Sequence, residues 1–411
     1  MAIYSFDMLP NRKTPAGTNK NGAASAFLST AICCCFLLLI SCSANASQHA
    51  DAGYVRLRSW MRDNGGRVSD RFGVVEKDGI RGIQAFSNIE EGSELLFCPW
   101  HLVIGSSSLQ DQMKSGDGMC SVVNEMAKEI RLGADSLWYP YLDHIGGQRL
   151  PADFNSEALL ELQELLTSQD ATRHLRWFDQ RCDGELDVTA KQSLVAFISR
   201  ASEVGMIPIY DLFNHHNGKR NAKLTLTEDG VQLLVVGDGI SSGDEIYLSY
   251  GLKTASTMYR DYGFVEEWPT AWNFQTVDGN NFAFLQFPND VVAINPSADL
   301  LRAVWQSNTS LDEYLSLATA HTESLSSVDL ETFVAAVENE HFPTTVEGDE
   351  ITLAVLLEQE GGESANDSSD NISDRISAII YRMAHKKALA SAKFYCNTIL
   401  SKRMTMGPQE L

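Results

Sequence analysis

The spacing of apolar and polar residues changes period several times along this chain. Between Tyr54 and Ile104 the apolar runs are short and broken by glycine. Phe72-Gly73-Val74-Val75, Ile83-Gln84-Ala85-Phe86 and Glu94-Leu95-Leu96-Phe97 read as strands, with turns at Asp78-Gly79 and Glu91-Gly92. From Met119 to about Arg200 the period becomes helical. Met119, Val122, Val123, Met126 and Ile130 share one face, as do Leu159, Leu162, Leu165 and Leu166. Strand-like runs return at Met206 to Ile209, Lys223 to Thr227, Gln232 to Val236 and Glu245 to Ser249, and Asp229-Gly230 signals a hairpin turn. After about Pro269 a short mixed segment gives way to helices. Glu358 to Asp374, rich in Gly, Ser, Asn and Asp, reads as a solvated loop. Ile376, Ile379, Ile380 and Met383 then recur at helical spacing in a basic helix that runs past Lys387.

The N-terminus follows another logic. Phe27 to Ile40 is an uncharged apolar stretch of 14 residues, preceded by Arg12, Lys13 and Lys20 and followed by Ala44-Asn45-Ala46. A charged start, a short apolar middle and a small-x-small exit describe a secretory signal peptide ending at Ala46. Ala23 to Ile40 would stretch to 18 residues, so a retained signal anchor is the alternative, and only then would the chain meet a membrane. A leader mis-assembled onto a cytosolic enzyme, or a plastid address, are further readings. Asn308-Thr309-Ser310, Asn366-Asp367-Ser368 and Asn371-Ile372-Ser373 would be glycosylation triplets in a secretory compartment.

The 411 residues allow two or three domains, each able to bury its own core. A net charge of −22 argues against a nucleic-acid binder, because phosphate neutralisation needs a basic face. An acidic body would draw in basic polypeptide segments, or the charge keeps the protein soluble and no more. Outside the leader, Cys98, Cys120, Cys182 and Cys396 are scattered and form no C-x-x-C pair, which gives neither a zinc site nor a disulfide framework. Buried free thiols are expected for all four.

The chemistry concentrates in Ile207-Pro208-Ile209-Tyr210-Asp211-Leu212-Phe213-Asn214-His215. Gly243-Asp244-Glu245-Ile246-Tyr247-Leu248-Ser249-Tyr250-Gly251 follows about thirty residues later, and then Asp261-Tyr262-Gly263-Phe264. Alone, Asn214-His215 reads more readily as a capped turn over a buried histidine; the company of the other segments changes that.

Together with Arg81-Gly82-Ile83-Gln84-Ala85, these segments resemble the SET family of protein methyltransferases, which carries the same motifs in the same order. Ser136 to Leu142, Leu150-Pro151 and Ser199-Arg200-Ala201 are similar to segments of its Rubisco large-subunit lysine methyltransferase branch. Asp349-Glu350, Tyr381-Arg382 and Lys386-Lys387 resemble that branch's C-terminal domain. The resemblance implies an α+β fold. Residues 54–268 would form a mostly β SET core of short strands with a helical insert at about 106–195. Residues 269–411 would form a mainly helical substrate-binding domain, and 1–46 the leader.

It also implies S-adenosylmethionine as cofactor, a protein as substrate, and no metal. Tyr250 would be the catalytic tyrosine. Ile80, Arg81 and Gly82 would face the cofactor, Arg200 would pair with its carboxylate, Asn214 would bond its amino-acid end and the His215 backbone its adenine. Tyr262 and Phe264 would close the cofactor pocket or wall the acceptor channel. Lysine is the expected acceptor and histidine the alternative. Ser202 stands where lysine-methylating relatives carry Phe and the actin-histidine enzyme Asn, while Tyr210 is aromatic like that enzyme's tryptophan. A catalytically inactive scaffold that binds a partner is the reading of a different class.

Overall fold

The computed structural model describes residues 52–77, 80–105, 118–145, 149–162, 165–166, 168–182, 186–276, 279–306, 311–340, 342–360 and 369–406. The leader, the turn at Asp78-Gly79 and the triplets at Asn308 and Asn366 lie outside these residues.

The architecture is the α+β plan expected: short strands in small sheets, helices between them, and a helical C-terminal part. An antiparallel four-stranded sheet takes the order Arg67–Val68, Glu94–Pro99, Gly230–Val235, Ala222–Leu226. Its last two strands form the hairpin signalled by Asp229-Gly230, with Leu226 opposite Val231. Strands Phe72–Lys77 and Ile80–Ala85 pair antiparallel with each other. Strands Asn214–His215 and Tyr247–Leu248 form a short parallel pair. The alternating apolar positions of these strands meet in one core with Phe72, Ile83, Leu95, Leu233, Ile246 and Leu248.

Two expectations about elements fail. Met206 to Ile209 is not a strand; it makes a single bridge, Met206 to Ile104, and then turns into a 3-10 helix at Tyr210–Leu212. Its apolar run reflects complete burial instead, since Met206, Ile207 and Ile209 are fully enclosed. Glu358 to Asp374 is not one loop. A helix runs Val346–Glu360, and another runs Ser369–Met406. Glu358 to Glu360 are the exposed last turn of the first helix, whereas Asp374 in the second is buried against Arg149. Asn371 consequently sits in a helix, where its amide nitrogen donates to Glu157 Oε2 (3.2 Å), which makes the third triplet a poor glycan acceptor.

The insert begins with helix Gly118–Leu132, which buries Val122, Val123 and Met126 on the expected face and packs on helix Val188–Arg200. The leucine run at Leu159 is helical only over Ser156–Glu161, capped by the Asn155 side chain accepting from Ala158 N–H at 2.9 Å. Glu161 then faces the long C-terminal helix. Arg382, 1% exposed, reaches Glu161 Oε2 (2.9 Å) and the enclosed Asp349 (2.8 Å), and Lys386 completes Asp349's shell at 2.7 Å. Asp349 and Arg382, read from sequence as part of a substrate-binding domain, thus hold three helices together through a paired internal charge cluster. Leaving one charge there unpaired would be costly.

The cysteine expectation is overturned for one pair. Cys120 and Cys182 are joined by a disulfide across 62 residues, tying the first insert helix to the end of helix Arg173–Arg181. Cys98 and Cys396 are buried free thiols. Nothing in the spacing marks the pair, because their proximity is made by helices packing. Replacing both Cys120 and Cys182 by serine should lower stability by about 2–4 kcal/mol, read from urea unfolding. Identical unfolding midpoints for the wild type with and without reductant would show that the bridge contributes nothing.

Candidate active site

Three segments distant in sequence converge behind one cavity. Strand Ile80–Ala85 lies antiparallel to the segment before Tyr247, with Ala85 N–H donating to Asp244 O (2.9 Å) and Ile246 N–H to Ile83 O (2.8 Å). Strand Asn214–His215 runs parallel to Tyr247–Leu248 on the other side. Asn214 closes the junction: its Nδ2 donates to Arg81 O (2.9 Å) and to Glu245 Oε1 (2.8 Å). Gly82 makes room for this contact. A Cβ there would stand 2.4 Å from Glu245 Oε1 and 2.9 Å from Asn214 Nδ2.

The cavity, about 200 Å3, is lined by Arg81, Ser199, Arg200, Asp211, Leu212, Asn214, Tyr250, Tyr262 and Phe264. Six of the residues expected from sequence meet here. Ile80 does not; it is 67% exposed. Gly82 supports the wall from behind, and His215 lies under it. Ser202 is also absent, because its Oγ donates to Gly205 O (2.9 Å) and accepts from Val204 N–H (3.2 Å) in a local turn. Tyr210 does not line the cavity, but its phenol is close enough to Tyr250 and Tyr262 to raise both electrostatically. A larger cavity of about 660 Å3 lies in the helical insert among Met126, Ile130, Leu142 and Val195. It contains none of the residues expected to hold cofactor or acceptor, so size alone does not select the site.

One end of the small cavity is charged. Arg200 is the last residue of helix Val188–Arg200, where a cation also suits the helix dipole. Its Nη1 lies 3.3 Å from Asp211 Oδ2, with the Asp211 side chain 1% exposed. Burial pushes the Asp211 carboxyl upward against the pull of Arg200, Arg81 and His144. Arg200 Nε is buried without a hydrogen-bond partner, and the enclosed Asp211 carboxylate has the buried Tyr141 hydroxyl beside it. The part of this pair that reaches the cavity is the Arg200 guanidinium, 12% exposed, which suits an incoming carboxylate. Asp211 is delivered by Ile209, which adopts φ +70°. For a β-branched residue that conformation costs about 1–3 kcal/mol, held here by complete enclosure of the side chain.

The other end is aromatic. His215, Tyr250 and Tyr262 stack in series, each ring 5.0 Å from the next, with Phe264 at the edge of Tyr262 (6.4 Å). Tyr262 and Phe264 flank the end of helix Ala255–Tyr262, which Gly263 terminates in the left-handed region at φ +79°. Tyr250 Oη donates to Phe213 O at 2.6 Å. Burial, then Tyr210, Tyr262 and Asp211 nearby, pushes the Tyr250 phenol well above its ordinary range. Burial does the same for Tyr210 and Tyr262. All three therefore stay protonated near neutrality and serve as hydrogen-bonding and packing groups, not as bases.

Asp211 and Glu245 were not singled out by sequence reasoning. Asp211 had a signal, a lone acid inside the apolar run Ile207 to Phe213. Glu245 had none beyond its place in the motif.

No family model matches the chain. Among curated proteins, the actin-histidine N-methyltransferase of Mus musculus is 21% identical over 253 residues, covering 51% of this chain and 41% of that protein. The chain thus spans less than half the length of this relative. Among solved structures, the SET domain of LSMT bound to lysine and AdoHcy has a TM-score of 0.51 at 16% identity, covering 85% of this chain and 92% of that one. Rubisco LSMT bound to sinefungin and monomethyllysine gives 0.51 at 16%, over 85% and 93%. Carried by backbone and not by identity, these likenesses give the chain the fold of the SET-domain methyltransferases, in the form of the Rubisco large-subunit enzyme.

Proposed function

We propose that this protein is an S-adenosylmethionine-dependent protein methyltransferase acting on a lysine side chain. One observation carries the reading: Arg81, Asn214 and Tyr250, from three motifs some 170 residues apart at their extremes, line one cavity with the Arg200–Asp211 pair and an aromatic wall. An inactive scaffold would have no use for that convergence.

Arg200 suits the carboxylate of the cofactor's amino-acid part, and Asn214 holds Arg81 and Glu245 in register beside it. When bound, the cofactor supplies an electrophilic methyl on a sulfonium. A neutral acceptor nitrogen forms the new N–C bond as the S–C bond breaks, and that electron pair stays on sulfur. Such an in-line displacement mainly requires alignment, which Tyr250, Tyr262 and Phe264 provide as a wall for the acceptor. Burial at this wall disfavours charge, which favours the neutral form of an entering lysine over the attraction of the ring faces for a cation. Nearby Lys253, its Nζ 5.8 Å from the Tyr262 ring, acts in the same direction by repelling a second ammonium.

Two of the similar structures hold lysine or monomethyllysine, which supports the lysine reading. The second reading, a histidine acceptor, is favoured by the name of the curated relative. Labelled-methyl transfer into a cell lysate, followed by mass spectrometry of the labelled peptides, should give methyl-lysine. Methyl-histidine would move the assignment to the second reading, and no label at all would return the scaffold. The partner in either case is a protein segment, and the acidic balance of the chain suits a basic one. We further propose a secretory address, supported by the leader pattern and by the Cys120–Cys182 disulfide, which belongs to an oxidising compartment.

Three outcomes are expected. A reporter fused to residues 1–50 should reach the endoplasmic reticulum, and a uniform cytosolic signal would remove the secretory address. Arg200→Lys keeps a cation beside Asp211 but loses the planar fork. Calorimetric affinity for S-adenosylmethionine should therefore drop by about 1.5–3 kcal/mol, the worth of a charge-assisted hydrogen bond. Unchanged affinity would leave Arg200 as a partner of Asp211 alone. Tyr250→Phe should cost about 1–3 kcal/mol of stability, because Phe213 O loses its donor. If the hydroxyl also orients the reacting groups, transfer per folded molecule should drop at least about tenfold with cofactor affinity little changed. Lower stability with full transfer would make Tyr250 a structural residue.

A further inference from the structure

Behind the aromatic wall lies a buried acid that the reaction itself does not touch. Glu266, 6% exposed, follows Phe264 by two residues and points inward. Its carboxylate accepts two hydrogen bonds and faces a third nitrogen. Asn217 N–H donates to Oε1 (2.7 Å), Asn217 Nδ2 donates to Oε2 (3.0 Å), and His215 Nε2 stands 3.2 Å from Oε2, off the axis of a straight hydrogen bond.

From these contacts two routes lead to the same tripeptide. Along the first, His215 Nδ1 accepts the Tyr250 N–H at 2.9 Å. That nitrogen must offer a lone pair, so the ring proton sits on Nε2, facing Glu266. The same ring stacks on Tyr250. Along the second, Glu266 fixes which way the Asn217 amide points. With Nδ2 turned to the carboxylate, Oδ1 accepts from Ser249 Oγ (2.6 Å), and Ser249 Oγ accepts from Gly251 N–H (3.3 Å). Ser249, Tyr250 and Gly251 are thus each held by a bond whose orientation traces back to one anion.

We propose that Glu266 is a positioning residue for Tyr250: it selects the Nε2–H tautomer of His215 and the rotamer of Asn217, and through them fixes the backbone that carries Tyr250. The inference rests on the methyltransferase reading for its effect on rate, but not for its geometry.

The substitution that isolates the role is Glu266→Gln. A carboxylate accepts from every direction, whereas a carboxamide has one accepting oxygen and a donating nitrogen. The variant keeps the shape but must set a donor against Asn217 or against His215 Nε2–H. If His215 escapes by moving its proton to Nδ1, it can no longer accept the Tyr250 N–H. The rate of labelled-methyl transfer into a fixed lysate, per folded molecule, should drop at least about tenfold, with calorimetric affinity for S-adenosylmethionine within about twofold of wild type. Backbone amide exchange at Tyr250 and Gly251 should accelerate while that at Leu233 and Val235 stays protected. In the double variant with Tyr250→Phe the rate should match Tyr250→Phe alone, since both changes act through one group. A rate near wild type, multiplicative losses, or loss of cofactor affinity in step with rate would overturn the proposal.

A second measurement needs no activity. Long-range 15N–1H correlation on the unsubstituted protein should show His215 as the Nε2–H tautomer. An Nδ1–H ring would overturn the inference whatever the variant does. Wild-type protein that binds no S-adenosylmethionine would sink the methyltransferase reading instead, and the tautomer and exchange data would still decide the role of Glu266.

Discussion

The Asn214 carboxamide has two N–H bonds, and one spans to the backbone of Arg81 while the other reaches the side chain of Glu245. These partners lie 133 residues before it and 31 after it. The site depends on that crossing. If it opened, the strand carrying Arg81 and the segment leading to Tyr250 would keep their short ladders and the Gln84 side-chain bond to Gly243 O, but would lose their tie to the Asn214 strand. The strands themselves contain two to six residues, too few to specify a register unaided. A side-chain bond at the crossing supplies the missing specification, and Gly82 is the position that lets it form.

Charge is used in two ways around this crossing. The C-terminal helices are held by Arg382 and Lys386 on Asp349, a cluster in which each charge has partners within about 3 Å. Such a cluster contributes geometry more than stability, since desolvation offsets most of the attraction. Arg200 and Asp211, by contrast, are paired along one edge only, with the Arg200 Nε left over. Arg382 also leaves its Nε without a partner, so an unpaired nitrogen does not by itself mark a site. What sets Arg200 and Asp211 apart is that they line the cavity, beside the strained Ile209.

How much of this could be read from residues alone differs by kind of signal. Strand, hairpin and helix periods placed most elements, because burial on one face imposes them locally. The motif residues Arg81, Arg200, Asn214 and Tyr250 were legible because their order and spacing are specific. Asp211 was half-legible as an acid in an apolar run. Glu266 was not, since Val265-Glu266-Glu267 looks like any exposed acidic turn, and only packing turns the first acid inward. Cys120 and Cys182 escaped for the same reason. Glu358 to Asp374 was misread because polar helix ends and polar loops share a composition. Ser202 takes its expected place from the family resemblance, two residues after Arg200, and a local turn holds its hydroxyl away from the cavity.

The three phenols around the cavity have one more consequence. Tyr210, Tyr250 and Tyr262 are held protonated by burial, and Asp211 faces a guanidinium. On the proposed reaction, the aromatic wall therefore offers no side chain ready to take a proton in the neutral range. An ammonium would have to shed its proton to water before or during entry, whereas an imidazole arrives with a lone pair already exposed. The acidity at which methylation begins would then be set largely by the guest, with the raised Asp211 carboxyl and the Lys253 amine, lowered by burial, as the host's own titrating groups nearby.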